Sequence, residues 1–331
     1  MRIKVMISKL FCIIFLSILV IFILLLSGFL NLKRQYIFKP YRNDMTNNYT
    51  LSVHNKFARI QDSMVKGIHI RTFQKNKTKT NKCIMMCHGN YGNLTYFTHS
   101  LVLAYACDID IVTFDYHGYG QSTDSSPVQG RVCQDGLKVY DYCRDKYNSI
   151  VLWGESLGGA CAAYTATQRN PDHLILQSTF SNICDVSQHA VDNGTVKGMF
   201  GKVITSFNIM QGYLPNTYTN VLPITKWLRN VRCKVLIMHS RDDELIPFEC
   251  ALKNIESMKK NKHGAKYKFI EIGGNHSKPK LDTKVLSNLM GEMSEYTNIV
   301  EQDMMSQYLC MEFEKSIDNF NKIKQLNDAM E

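Results

Sequence analysis

Ser149-Ile-Val-Leu-Trp-Gly-Glu-Ser-Leu-Gly-Gly-Ala-Cys161 carries the sharpest structural signal in the chain. Ile150, Val151, Leu152 and Trp153 form a strand that runs into Gly154-Glu155-Ser156-Leu157-Gly158, and a helix-compatible segment over residues 160–169 follows. A Gly-x-Ser-x-Gly between a strand and a helix is a nucleophile elbow. So sharp a turn leaves no room for a Cβ two residues to either side of the serine, which calls for Gly154 and Gly158. The turn lifts Ser156 Oγ above the sheet, and the helix behind it points its N-terminal N–H groups at the reacting centre. Five such residues also fit a plain glycine-rich connection, so the rest of the chain has to decide.

Working outward from the elbow, short apolar runs alternate with amphipathic segments. Strands are predicted over residues 67–73, 83–88, 109–114, 150–153, 173–177, 233–239 and 267–272. Helices are predicted over 94–106, 128–147, 156–169, 248–260 and from 281 onward. This rhythm means an α/β fold with a mostly parallel central sheet flanked by helices on both faces. The polar run over 74–82 reads as a solvated hairpin loop. Residues 180–229 break the rhythm; four glycines, two prolines and apolar residues such as Met199, Phe200 and Phe207 predict a short helical cap over the sheet's C-terminal edge.

Residues 10–30 are a run of 21 residues without a charge, about 31 Å as a helix, enough to span a bilayer. The run is long for a cleaved signal peptide and lacks a small-x-small cleavage site, so it is read as an uncleaved single-pass anchor in the endomembrane system or at the cell surface. Basic residues flank it in similar number on both sides and do not set its orientation. The organisation is thus a short basic N-terminus (1–9), an anchor (10–30), a connector with a first strand (31–66), a catalytic domain (67–296, cap about 180–229) and a helical extension (297–331).

The net charge of +10 invites a nucleic-acid reading, but the lysines are scattered, with no basic–aromatic array. An anionic membrane surface suits this charge better. Eleven cysteines include no Cys-x-x-Cys, and no His/Cys spacing resembles a zinc site. Cys83 and Cys87 share one face of a strand and read as small buried hydrophobes. No cofactor and no metal are implied. Asn-x-Ser/Thr sequons begin at Asn48, Asn76, Asn93, Asn193 and Asn275, in a chain rich enough in asparagine to make them by accident.

A hydrolytic serine needs a base, an acid that orients the base, and N–H donors for the oxyanion. Each has a candidate at a strand's C-terminal end, the rim where open α/β sheets carry their chemistry. In His88-Gly89-Asn90-Tyr91-Gly92-Asn93 the glycines let the backbone bend so that the Asn90 N–H faces the site, where it joins the Leu157 N–H as an oxyanion hole. The His88 side chain is read as structural. In His239-Ser-Arg-Asp-Asp-Glu-Leu-Ile-Pro247 both Asp242 and Asp243 can supply the acid. Gly273-Gly-Asn-His276 supplies the base, His276, giving the chain order Ser…Asp…His.

Four blocks now stand together: His88-Gly-Asn-Tyr-Gly-Asn93, Phe114-Asp-Tyr-His-Gly-Tyr-Gly-Gln-Ser122, Gly154-Glu-Ser-Leu-Gly158, and Asp243-Glu-Leu-Ile-Pro247 with Gly274-Asn-His276. As an ordered set they resemble the α/β-hydrolase fold, and within it the membrane-anchored α/β-hydrolase domain-containing serine hydrolases with a His-Gly-Asn-x-Gly-Asn oxyanion loop. The resemblance implies a serine hydrolase with Ser156, Asp243 and His276 as catalytic triad, because the acid of that family stands just before Glu-x-x-Pro. It also implies a structural turn without catalytic residues for Asp115-Tyr116-His117-Gly118. Lipid acyl esters, acyl-thioesters or S-acylated proteins at a membrane are the implied substrates. A non-catalytic scaffold on the same fold and a secreted carboxylesterase are the alternatives. Ser240, where the family often has glycine, is a departure on the acid loop.

Overall fold

In the structure, a computed structural model, residues 37–42, 58–75, 81–96, 109–195, 222–277 and 279–280 are described. The chain divides into two units, Met1–Lys39 and Pro40–Glu331, and the sheet and the site both lie within the second. The expected anchor at 10–30, the extension at 297–331 and the middle of the expected cap fall outside the described residues. Among the described residues no helix is long and apolar enough to cross a membrane.

Nine strands form one sheet: β1 (Ala58–Val65), β2 (Ile68–Lys75), β3 (Lys82–Cys87), β4 (Asp110–Phe114), β5 (Ser149–Glu155), β6 (His173–Gln177), β7 (Lys234–Ser240), β8 (Tyr267–Gly274) and β9 (Pro279–Lys280). Their spatial order is β9-β8-β7-β6-β5-β3-β4-β2-β1. From β4 through β8 all neighbours pair in parallel, while β1, β2 and β9 add antiparallel edges. The helices are α1 (Gln129–Arg144), α2 (Leu157–Gln168), α3 (Ile183–Asp192), α4 (Ile224–Leu228) and α5 (Phe248–Lys259).

The central strands read as unbroken apolar runs because both of their faces are covered. Ile84, Met85 and Met86 on β3, Ile150 to Trp153 on β5, Leu174 to Leu176 on β6 and Val235 to Met238 on β7 are all buried. At about 25 cal/mol per Å² of apolar surface removed from water, each such side chain is worth about 1.5–3 kcal/mol against the chain's lost entropy. Ala at 160, 162, 163 and 166 lets α2 lie close against the sheet, and all four are buried.

The strand order holds a reversal. From β3 the chain moves outward to β4, then returns through α1 to β5 on the other side of β3. Loops leaving β3 and β5 therefore diverge at their C-terminal ends and open a crevice, the usual place for a ligand in such sheets. The segment after β3 is the His88–Asn93 block, and the turn after β5 carries Ser156.

Three elements differ from the sequence reading. The strand expected in the connector belongs to the sheet, with Ala58 opposite Lys75 and Val65 opposite Ile68 across a tight turn at Lys66-Gly67, so the sheet begins before residue 67. The segment after Asn93 begins as a single 3-10 turn, Leu94–Tyr96, and the rest of the expected helix lies outside the described residues. Pro279–Lys280 pairs antiparallel with the end of β8 where only a loop was expected. Of the expected cap, residues 183–192 form α3, opened by Asn182, whose side chain accepts the Cys184 and Asp185 N–H groups. Residues 224–228 form α4.

Candidate active site

Ser156 sits between β5 and α2 with φ 52° and ψ −118°, a conformation that costs about 1–3 kcal/mol for a residue other than glycine. Neighbouring elements hold it there. Its N–H donates to Gln177 O on β6 (3.0 Å), and its carbonyl accepts from Gly159 N (3.0 Å) and Thr179 Oγ1 (2.6 Å). The glycines around it mark close approaches. A Cβ on Gly158 would lie 1.9 Å from Cys87 O, one on Gly154 2.4 Å from Gly158 O, and one on Gly159 2.2 Å from Thr179 Oγ1. The end of β3 and the elbow thus pack backbone to backbone, and the Thr179 side chain fills the space over Gly159.

His276 follows β8 and reaches Ser156: its Nε2 lies 3.1 Å from Ser156 Oγ. Its Nδ1 lies 2.8 Å from Asp243 Oδ2. An ionised carboxylate only accepts, so the proton sits on Nδ1 and the Nε2 lone pair is left for the serine hydroxyl. Asp243 is buried, and its Oδ1 accepts the backbone N–H groups of Leu245 (3.1 Å) and Ile246 (2.8 Å). These bonds aim Oδ2 at the imidazole. His239 Nε2 donates to Ile246 O (2.9 Å) and braces the same loop from β7. Burial holds the His239 imidazole below its ordinary value, which keeps it neutral beside Asp243.

Asp242 is exposed and turns away; its backbone N–H caps Ser240 Oγ (3.1 Å). The structure thus brings Asp243, not Asp242, to His276. Burial alone would lower the His276 value. The hydrogen bond to Asp243 and the charges of Asp243, Glu155 and Glu244 outweigh it, so the imidazole is held above its ordinary 6.5.

The two expected oxyanion donors flank the serine. Leu157 N–H belongs to the first residue of α2, where no carbonyl of the preceding turn is available to it. Gly89 packs against Ser156, since a Cβ there would lie 3.6 Å from Ser156 Cβ; the adjacent Asn90 N–H has no acceptor among the described residues. Among the described residues no three His, Cys, Asp or Glu side chains gather as metal ligands.

Two contributors went unnoticed in the sequence. Thr179, buried and just past β6, donates to the serine's own carbonyl. Glu244 accepts the His276 N–H through Oε2 (3.0 Å). Glu244 stands beside Asp243 in an already suspect loop, which was the available signal; Thr179 carries none.

Residues 82–202 match the family model of the alpha/beta hydrolase fold. The chain has the α/β-hydrolase fold. The chain is 28% identical over 254 residues to the uncharacterized protein R595 of Acanthamoeba polyphaga mimivirus, covering 72% of this chain and 80% of that one. It is 25% identical over 224 residues to the lysophosphatidylserine lipase ABHD12 of Danio rerio (61% of this chain, 54% of the lipase). With the Bos taurus lipase of the same name it shares 28% over 189 residues (50% and 44%). The chain thus spans about half the length of these lipases. In fold, it superposes on the Pyrococcus furiosus esterase Pf2001 with a TM-score of 0.59 at 12% identity, covering 79% of this chain and 98% of the esterase. The acylaminoacyl peptidase of Pyrococcus horikoshii gives 0.52 at 14% identity, covering 78% and 46%.

Proposed function

We propose that this protein is a serine hydrolase that cleaves acyl esters or thioesters of membrane lipids or S-acylated proteins through an acyl-enzyme on Ser156. The observation that carries the reading is the unbroken relay Ser156 Oγ–His276–Asp243, with gaps of 3.1 and 2.8 Å, built on a strained serine. The relatives named as lysophosphatidylserine lipases support a lipid ester as substrate.

Ser156 Oγ attacks the acyl carbonyl carbon while His276 Nε2 takes its proton, and Asp243 steadies the imidazolium that forms. The carbonyl oxygen becomes the oxyanion and is held by the Asn90 and Leu157 N–H groups. The intermediate collapses, and the alcohol or thiol leaves with the proton from His276. Water then attacks the acyl-enzyme, again giving its proton to His276. Collapse releases the carboxylic acid and returns the proton to Ser156 Oγ. The hydrolase domain runs to about residue 296, and residues 10–30 anchor it, keeping the site near acyl chains.

The test is labelling of the full-length protein in membranes with a fluorophosphonate, beside Ser156→Ala, with turnover of lipid esters and acyl-thioesters. Ser156→Ala should abolish labelling and lower turnover by about 10⁶-fold. A variant that kept most of its turnover would end this mechanism. Carbonate extraction addresses the anchor: a protein washed from the membrane would remove it.

A further inference from the structure

Three consecutive carbonyls follow β3, and each is held by a side chain. Tyr116 O–H donates to His88 O (2.9 Å), His88 Nδ1–H donates to Gly89 O (2.8 Å), and Tyr119 O–H donates to Asn90 O (3.0 Å). Both tyrosines come from the block after β4, which the sequence offered only as a turn.

The three rings pack on one another. Centroid distances are 4.4 Å for His88–Tyr116, 5.2 Å for His88–Tyr119 and 5.6 Å for Tyr116–Tyr119. Both tyrosines are fully buried. Asp115 ties the block to the far end of the loop, accepting Leu94 N–H at Oδ1 (2.6 Å) and Gln121 N–H at Oδ2 (3.3 Å).

The consequence follows from peptide planarity. Gly89 C=O and Asn90 N–H belong to one trans unit and point in opposite directions, so a hand on the oxygen fixes the N–H. The next unit, carrying Asn90 C=O, is fixed by Tyr119. With the planes on both sides held, φ and ψ of Asn90 are set, and so is the direction of its N–H. Resting on the function proposed above, we infer that Tyr119, with His88 and Tyr116, is a positioning residue that pre-aims the Asn90 N–H at the oxyanion. None of the three touches the reacting atoms. They remove the reorganisation that an unbraced loop would undergo as charge develops on the carbonyl oxygen, which is where fixed donors gain their effect. Burial keeps His88 neutral and raises the Tyr116 phenol, so both remain in the protonation state that donates.

Tyr119→Phe tests this, because it keeps the ring and removes only the hydroxyl. Turnover is measured per active site, counted by fluorophosphonate stoichiometry, alongside the affinity of an alkyl boronic acid that forms a tetrahedral adduct on Ser156. Losing one oxyanion donor outright costs about 10²–10³-fold, so losing its brace should lower kcat about tenfold with KM within about twofold. Boronate affinity should fall by the same factor. A merely structural role would lower the number of titratable sites and leave kcat per site and boronate affinity in place, which would overturn the inference. Ser156→Ala in the same series separates the two readings. If it retains turnover, the triad falls and the brace with it; if it abolishes turnover while Tyr119→Phe keeps full kcat per site, the brace alone falls.

Discussion

Glu244 Oε2 accepts the backbone N–H of His276 at 3.0 Å, so the residue next to Asp243 holds the loop that presents His276 to the serine. The same carboxylate is one of the charges that raise the His276 imidazole above 6.5. On the proposed mechanism Nε2 must be unprotonated to receive the serine proton, so the acidic limb of kcat/KM should lie above that value. The linked stability has the opposite sense: it is present in full below 6.5 and is lost as pH rises through the higher folded value.

Glu244→Gln keeps an acceptor for the His276 N–H and removes the charge. The acidic limb should move to lower pH while the plateau stays within a few-fold of wild type. Profiles of kcat/KM between about pH 5 and 9 measure this. An unmoved limb would show that the Glu244 charge does not act on His276.

Two adjacent aspartates give contrasting expectations. Asp243→Asn leaves the geometry but offers His276 an amide in place of an acceptor-only carboxylate, and kcat should drop by about 10⁴-fold. Asp242→Asn alters an exposed side chain and should stay within about threefold. Steady-state turnover of the two variants is sufficient; equal losses would contradict the assignment of Asp243.

Thr179→Val swaps a hydroxyl for a methyl and deletes the 2.6 Å bond to Ser156 O. That carbonyl keeps its bond from Gly159 N, so the stability cost should be about 1 kcal/mol, and fluorophosphonate labelling should slow. Thr179→Ser retains the donor and should recover the labelling rate. If Val and Ser label equally, the hydroxyl is not what holds the elbow.

Glycine packing can be tested by a pair. Ala at 158 would put a Cβ 1.9 Å from Cys87 O, a clash with backbone that no rotamer relieves, and the variant should not give soluble, labelled protein. Gly130, in the first turn of α1, has nothing within 4 Å of its would-be Cβ. Gly130→Ala should raise stability by about 0.5 kcal/mol through the lost freedom of the unfolded chain. Soluble yield and labelling read the first variant, and a thermal melt reads the second.

The parallel core was legible in the sequence because burial on both faces leaves a local mark: runs such as Ile84-Met-Met86 and Leu174-Ile-Leu176 admit no polar residue. The elbow was legible because steric exclusion forces glycine at fixed offsets from Ser156. The hydroxyl bridges were not. Tyr116 lies 28 residues from its acceptor His88, Tyr119 29 from Asn90, and Thr179 23 from Ser156. A hydrogen bond across such a gap imposes no periodicity and no composition on the chain between. The choice between Asp242 and Asp243 could not be read from spacing either, since a one-residue shift is settled by which carboxylate the burial of the loop turns inward. The bounds of the strand Ala58–Val65 were hard to read for another reason: an antiparallel edge strand has a half-solvated pattern close to that of a connector.

On the proposed mechanism, the positions of β5, β7 and β8 also set when the chain would become reactive. Ser156 hangs from the middle of the sheet, while Asp243 and His276 follow strands that join two and three places further out, in chain order. During synthesis the elbow can form with β3, β5 and β6 in place, yet its serine has no proton acceptor until residue 276 has left the ribosome and β8 has docked on β7. On that mechanism a nascent or truncated chain would be chemically silent, however well its centre had folded, and docking of the last parallel strand would be the arming step.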